Sequence, residues 1–311
     1  VLGYETKTSY VDRFDKRVVY DKFEPAGQEE NIFIARNSKT DTWYRNRNLT
    51  LSATANYIKK IGDHDINVLL GTSREQFRYN YTSASRKDFP NDDFQVIDPG
   101  DASTATASGN KTYSALVSVF GRINYSYKDK YLFEANVRRD GSSKFAHGHR
   151  WGTFPSFSAA WRISEESFFM PLHNLIQNLK LRASWGKLGN QGIDDYLSMS
   201  TYNVVDSSTR YYLFNGVSQT LMSENVMGNS LITWETSTNL NLGFDVNMFN
   251  NRLGFSFDWY NRDTDDILLN LETPSLLGIT PPISNAGKVR NRGWEFTISW
   301  QDQVNDDFSY N

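Results

Sequence analysis

Side chains able to do chemistry are few in this chain and poorly spaced for it. Among 311 residues there is no Cys and there are four His, which excludes thiolate nucleophiles, thiolate-bound zinc and disulfides. The one close histidine pair, His147-Gly148-His149, sits among Gly and Arg in a segment that reads as an exposed loop. Two imidazoles with no third ligand and no helix or strand spacing make a poor metal site, so an ordinary loop is the better reading. The acidic doublets Asp92-Asp93, Asp194-Asp195, Asp265-Asp266 and Asp306-Asp307 have the chemistry for calcium or for paired acid–base work. Each falls in a turn or loop, where Asp is favoured in any case. With no EF-hand spacing, phosphate-cradling glycine loop or nucleophile elbow, no catalytic residue, metal site or cofactor is expected. What remains is aromatic. Phe89, Tyr202, Tyr211, Tyr212 and Phe214 lie in the long connections, where packing of the loops on themselves is the plainest role for them.

The elements that must position these residues are strands. Alternation with a period of two, which sends successive side chains to opposite faces, runs through most of the chain. Val117, Val119, Ile123, Tyr125 and Tyr127 oppose Ser118, Arg122, Asn124 and Ser126, with Leu116 and Phe120 as exceptions. Leu240, Leu242, Phe244, Val246 and Met248 oppose Asn239, Asn241, Gly243, Asp245 and Asn247, and Leu49, Leu51, Ala53, Ala55 and Tyr57 oppose Thr50, Ser52, Thr54 and Asn56. The pattern predicts strands near 48–58, 65–79, 113–127, 131–140, 154–163, 179–188, 236–248, 252–262 and 289–301. Most have ten or more residues, longer than the ~5–6 usual in globular proteins. At ~3.3 Å per residue and ~40° of tilt, ten residues rise about 25 Å, the height of an outer-membrane apolar band.

Connections alternate in length. Ile61-Gly62-Asp63-His64, Lys128-Asp129-Lys130, Phe249-Asn250-Asn251-Arg252 and 302–307 read as tight polar turns, whereas 80–112, 141–153, 189–235 and 263–288 are long. With strands running up and down, every short turn falls at one end and every long loop at the other, the division between periplasmic turns and extracellular loops of an outer-membrane barrel. One turn-side connection is longer: Phe168, Phe169, Leu172, Leu175 and Ile176 are at roughly helical spacing, which predicts a short amphipathic helix, whole or divided at Pro171. Residues 1–47 are less regular, with possible strands at 10–20 and 31–37, and form a leading section before the barrel segment 48–311. Phe308-Ser309-Tyr310-Asn311 reads as the opening of a further strand.

Composition agrees with this architecture. The chain is 39% hydrophobic, 14% aromatic and 22% charged, with mean hydropathy −0.58; no stretch approaches the ~18 apolar residues of a spanning helix, and so many aromatics argue against disorder. A net charge of −3 offers no basic footprint for nucleic acid. Trp161, Trp185, Trp259, Trp294 and Trp300, with Tyr125 and Tyr127, lie on the apolar faces of their strands. These are candidates for a lipid-facing aromatic girdle; a soluble carbohydrate-binding β-sandwich would instead bury them in a core. Strand length and the segregation of loops favour the barrel.

Five segments carry a resemblance. They are Val137-Arg138-Arg139-Asp140-Gly141-Ser142-Ser143-Lys144-Phe145, Arg150 to Ser164, Leu179 to Gln191, Trp234-Glu235-Thr236-Ser237 leading into Asn241 to Asp245, and Asn285 to Glu295. In this order they resemble the SusC/RagA class of TonB-dependent outer-membrane transporters, across about residues 48–301. The resemblance implies an all-β, transmembrane antiparallel barrel of 22 strands, of which this chain is a part without the N-terminal plug. It also implies import of glycans or peptides beneath a SusD-like lipoprotein lid, powered by the TonB-ExbB-ExbD complex through a segment outside this sequence. Outer-membrane lipid is then a further partner, and the loops 80–112, 189–235 and 263–288 become candidates for substrate or lid contact. Phe89, Tyr202, Tyr211, Tyr212 and Phe214 are the aromatics in them that could stack on sugar rings, self-packing or lid contact being the plainer role. Arg138, Arg139 and Asp140 are expected to tie a strand end to its loop.

Overall fold

The computed structural model describes residues 2–16, 18–20, 33–93, 96–205, 212–219, 221–270, 281–305 and 308–311. Ten long strands make one antiparallel sheet in which each strand pairs with the next in sequence: β1 (Leu2–Asp15), β2 (Ser38–Ile61), β3 (His64–Lys87), β4 (Thr106–Tyr127), β5 (Tyr131–Ser142), β6 (Trp151–Arg162), β7 (Ile176–Asn190), β8 (Glu235–Met248), β9 (Leu253–Asn270) and β10 (Ile283–Trp300). The nine strands marked by alternation are all present. By backbone contacts the chain divides into two compact units, Val1–Leu51 with Glu75–Ala115, and Ser52–Arg74 with Leu116–Asn311.

In the larger unit the register sorts side chains into continuous rows. Tyr125, Phe133, Ala159, Ala183, Leu242, Trp259 and Trp294 face one another strand to strand. One residue along, Asn124, Glu134, Ser158, Ser184, Asn241, Tyr260 and Gly293 do the same on the opposite face. A shift of one residue in any strand would exchange the two faces, so the alternation itself pins the register. Phe133, Phe157, Trp185, Leu242, Trp294, Phe296 and Ile298 are all exposed. A sandwich core would cover this face with a second sheet; a lipid-facing wall leaves it open to hydrocarbon.

Short turns gather at one end because the backbone ties each to its neighbour. Lys128 N donates to Asp63 O, Arg162 N to Lys130 O, Phe249 N to Leu175 O and Gln301 N to Arg252 O, at 2.8 to 3.0 Å. Local chemistry sets the reversals: Gly62 lies at φ 58°, Lys128 and Asp129 both at 53°, and Asn250 and Asn251 at 57° and 63°. Those are the left-handed values that hairpin turns require and that Gly, Asn and Asp tolerate best.

Several expectations need correction. Residues 80–87 and 106–112, placed in a loop by sequence, belong to β3 and β4, and 263–270 with 283–288 extend β9 and β10. Beyond the apolar band both faces meet water, so the backbone ladder continues while the alternation that marks it fades. For the same reason β1, with Thr6-Lys7-Thr8-Ser9 at its centre, is longer than its pattern suggests and pairs with Ser38–Leu51. In place of an amphipathic helix, the connection from β6 to β7 holds two 3-10 turns, Ile163–Glu165 and Ser167–Leu172, with Pro171 inside the second. Phe308–Tyr310 folds back on Asp302–Asn305 as a short hairpin.

In the smaller unit, Asn37 holds the chain after β3: its side chain accepts from Phe89 N at 2.8 Å and donates to Phe89 O at 3.1 Å and to Asp92 Oδ1 at 3.0 Å. Lys39, 1% exposed, is paired with Asp12 and, at 3.3 Å, with Asp41. In the following loop Asp101 accepts the backbone N–H of Ser103 at 2.8 Å, and that bond holds its carboxyl below the ordinary carboxylate value.

Candidate functional site

The polar face of the larger unit carries the first candidate surface. Small residues at Ser158, Ala160, Ser184 and Gly243 set the wall back, and Asn124, Glu134, Lys180, Arg182 and Asn241 border a recess of about 620 Å³, within the ~300–1,000 Å³ of small-ligand sites. Arg182 organises its charge. Its guanidinium donates to both oxygens of Asp245 at 2.8 and 2.9 Å and to both oxygens of Asp258 at 3.0 Å. Ser256 adds a hydroxyl to Asp245 at 3.0 Å. One guanidinium thus bridges two carboxylates on neighbouring strands, and Lys180 Nζ, 3.7 Å from Asp245, supplies the second positive charge that balances the pair.

At the loop end the same unit builds a clasp, and there the five quoted segments meet. Phe145, Phe154, Ile193, Ile232 and Trp234 are buried together with Leu116, Leu197 and Leu268 against them. Trp234 lies 5.0 Å from the Phe145 ring and 5.3 Å, edge-on, from Phe154, and its indole N–H donates to Arg150 O at 3.0 Å. Arg150 Nε in turn donates to Phe145 O at 3.2 Å. Lys144 reaches Ile193 O at 2.5 Å. Asn285 accepts from Thr233 N and donates to Thr233 O, both at 3.0 Å, and to Asp266 O at 2.8 Å. A Cβ on Gly152 or Gly189 would overlap the Phe154 ring, so both positions admit only glycine while that ring stays in place. Below the clasp, Arg138 donates to Asp140 at 2.8 Å and to Ser118 Oγ at 2.8 Å while lying 5.4 Å over the Phe120 ring.

These contacts account for the two breaks in the alternation of β4. Leu116 lies on the polar face because it packs into the clasp, and Phe120 because it carries Arg138. Sequence reading quoted five segments that meet in the clasp without assembling them, and left Ile193, Leu197 and Ile232 outside them. The available signal was the concentration of Gly and aromatic residues at strand ends, at 141, 145, 151, 152, 154, 189 and 234.

The residues singled out by sequence are scattered. Phe89 is 6% exposed and packs edge-on against Phe14 at 5.5 Å, so its ring is used internally. Tyr202 is exposed, in a strand Thr201–Val205 that pairs with Leu221–Val226. Tyr212 and Phe214 lie in a short hairpin opposite Gln219 and Val217; Tyr211 is outside the described residues. Of the girdle candidates, Trp161 stacks on Tyr131 at 6.3 Å, and Tyr131 on Tyr127 at 6.3 Å, beside the turns. His64 Nδ1 and Tyr125 Oη are 2.8 Å apart there, and Trp300 pairs with Leu253 beside the short turn at 249–252. Trp259 and Trp294 face each other farther along their strands, and Trp185 stacks on Phe157 at 5.9 Å.

Comparison with known proteins agrees with this geometry. The chain is 36% identical over 312 residues to TonB-dependent receptor P3 of Formosa agariphila, covering 99% of this chain and 30% of that protein. It is 34% identical over 264 residues to TonB-dependent receptor SusC of Bacteroides thetaiotaomicron, covering 85% of this chain and 26% of SusC. The structure of the RagAB peptide transporter superposes with a TM-score of 0.84 at 23% identity, over 99% of this chain and 32% of that one, a likeness of fold. The chain therefore spans about a third or less of the length of each. With the profile of the TonB dependent receptor-like, beta-barrel family matching residues 2–311, and with one face for lipid and one for water, the chain belongs to that family of outer-membrane β-barrels.

Proposed function

We propose that this chain is the wall and loop section of an importer that takes nutrient oligomers, glycans or peptides, across the outer membrane. In this reading a SusD-like surface lipoprotein covers the loop end and TonB-ExbB-ExbD supplies the energy through parts of the protein outside this sequence. The supporting observation is the pair of rows, apolar and polar, that crosses seven consecutive strands. A wall of that kind serves a wet lumen, with Asp245 and Asp258 compensated by Arg182 and Lys180 and with amides, hydroxyls and the Glu134 carboxylate presented to a polar oligomer. Residues 1–47 act as the leading section and 48–311 as the main wall. Among the loop aromatics whose side chains are described, Tyr202 is exposed and suits contact with substrate or lid. No step of this role requires bond-making chemistry, so the chain acts as a carrier and not as an enzyme.

Uptake tests the proposal. Cells lacking the full-length protein should fail to accumulate a labelled oligosaccharide or peptide that the parent strain takes up, and loss of TonB should have the same effect. The purified full-length protein should require detergent and should migrate differently on gels before and after boiling. A full-length product soluble in plain buffer, or uptake indifferent to TonB, would overturn it.

A further inference from the structure

Among the described turn-side segments, the connection between β6 and β7 carries a run of outward apolar side chains. Phe168, Met170 and Leu172 are 65%, 70% and 50% exposed, while Phe169 between them is buried. At three residues per 3-10 turn, the buried Phe169 sends its neighbours Phe168 and Met170 to the other two sides, so their exposure is built in rather than a frayed end.

Its position is fixed by Glu166, which accepts from Tyr131 Oη at 2.7 Å, from Trp161 Nε1 at 3.1 Å and from Lys130 Nζ at 3.4 Å. Tyr131 and Trp161 belong to the apolar face, so Glu166 pulls the connection to the outside of the wall at the rim. The same two rings border an open apolar groove on that face, hollowed by Ala159 and Ala183 and about 810 Å³ in volume. Lys128, with its ammonium 5.4 Å from the Tyr127 ring and 3.6 Å from Asp63, and Lys130, 3.4 Å from Glu166, put two ammonium groups at the rim, each with further N–H donors beyond its carboxylate. Outward apolar residues, an aromatic border, a groove running up the lipid face and cations beside it match a phospholipid in order: glycerol level, acyl chain and phosphate.

We propose that Ser167–Leu172 is an interfacial anchor that seats a phospholipid of the inner leaflet, with its phosphate at Lys128 and Lys130 and an acyl chain over Ala159 and Ala183. This seat rests on the orientation of the wall and is independent of what is transported.

The test uses the full-length transporter in nanodiscs of phosphatidylethanolamine and phosphatidylglycerol, spin-labelled at Met170→Cys and, separately, at Leu172→Cys. Collisions with oxygen should exceed those with a soluble nickel chelate at both sites. The reverse order would show the element in water, and shielding from both agents would show another protein segment on it; either result overturns the proposal. In native mass spectrometry, Ala183→Trp, which fills the groove, should lose a phospholipid that the parent retains, with heat-modifiable gel migration unchanged. Retention equal to the parent would also overturn it.

Discussion

The middle of the wall and the clasp at its loop end are made from the same strands and obey different rules. In the middle each side chain answers to one neighbour on each side and to a solvent, lipid or water, and many residues of the right polarity satisfy both. In the clasp, rings, glycines and backbone groups from five segments occupy one another's space, with Phe154 lying where Cβ atoms of Gly152 and Gly189 would be. The wall therefore tolerates exchange within a polarity class, whereas the clasp demands particular shapes.

The sharpest way to break that contrast is inside the clasp. Trp234→Ala should cost about 3–5 kcal/mol by removing a large buried ring together with its bond to Arg150 O, and Gly189→Ala should displace Phe154. Both should lower the unfolding temperature of the detergent-solubilised barrel and expose loop 191–234 to limited proteolysis. Next comes the lipid face: Phe133→Lys should cost about 2–4 kcal/mol if it lies near mid-bilayer, read by urea unfolding in vesicles, while Phe133→Leu should change little. A similar tolerance of Phe154→Leu would erase the distinction between the two regions.

On the polar face, Arg182→Met leaves Asp245 and Asp258 facing each other without their shared cation. Because the group is partly exposed, the expected cost is about 1–2 kcal/mol, and Arg182→Lys should recover only part of it, since an ammonium cannot meet both carboxylates in the fork geometry. The smallest effect is expected at the turn end. Hydrogen bonds from Tyr131 first, then Trp161 and Lys130, hold Glu166 below the ordinary glutamate value. A depressed carboxyl contributes fully above its unfolded pKa of about 4.3 and loses that contribution as pH falls through the lower folded value. Collision access at a label on Met170→Cys should thus be steady from pH 8 to pH 5 and change only in more acid buffer, and Glu166→Gln should flatten the response.

How much of this was legible depended on whether a residue's partner lay across one hydrogen bond or across the molecule. Strand identity, turn positions and the polarity of each face followed from alternation, because in a strand the face is decided by counting in twos. The loop-ward ends of β3, β4, β9 and β10 were not legible, since there both faces meet water and the backbone ladder leaves no hydrophobic trace. The connection at 163–175 kept its apolar residues but not the helix inferred for them, as Pro171 and the short span favour 3-10 turns over a cooperative α-helix.

The sequence by itself determined a two-faced all-β wall, its register and its division into a turn end and a loop end, because each of these is set by residues two apart or by a few adjacent turn residues. Only the tertiary structure decided what Leu116 and Phe120 pack against on the polar face, that Phe89 is spent inside its own unit, that Arg182 serves two carboxylates, and that the motifs at 137–145, 150–164, 179–191, 234–245 and 285–295 meet in one clasp. Those outcomes depend on which side chains meet after strands tens of residues apart in sequence have paired, and close packing of unlike shapes leaves no period to count.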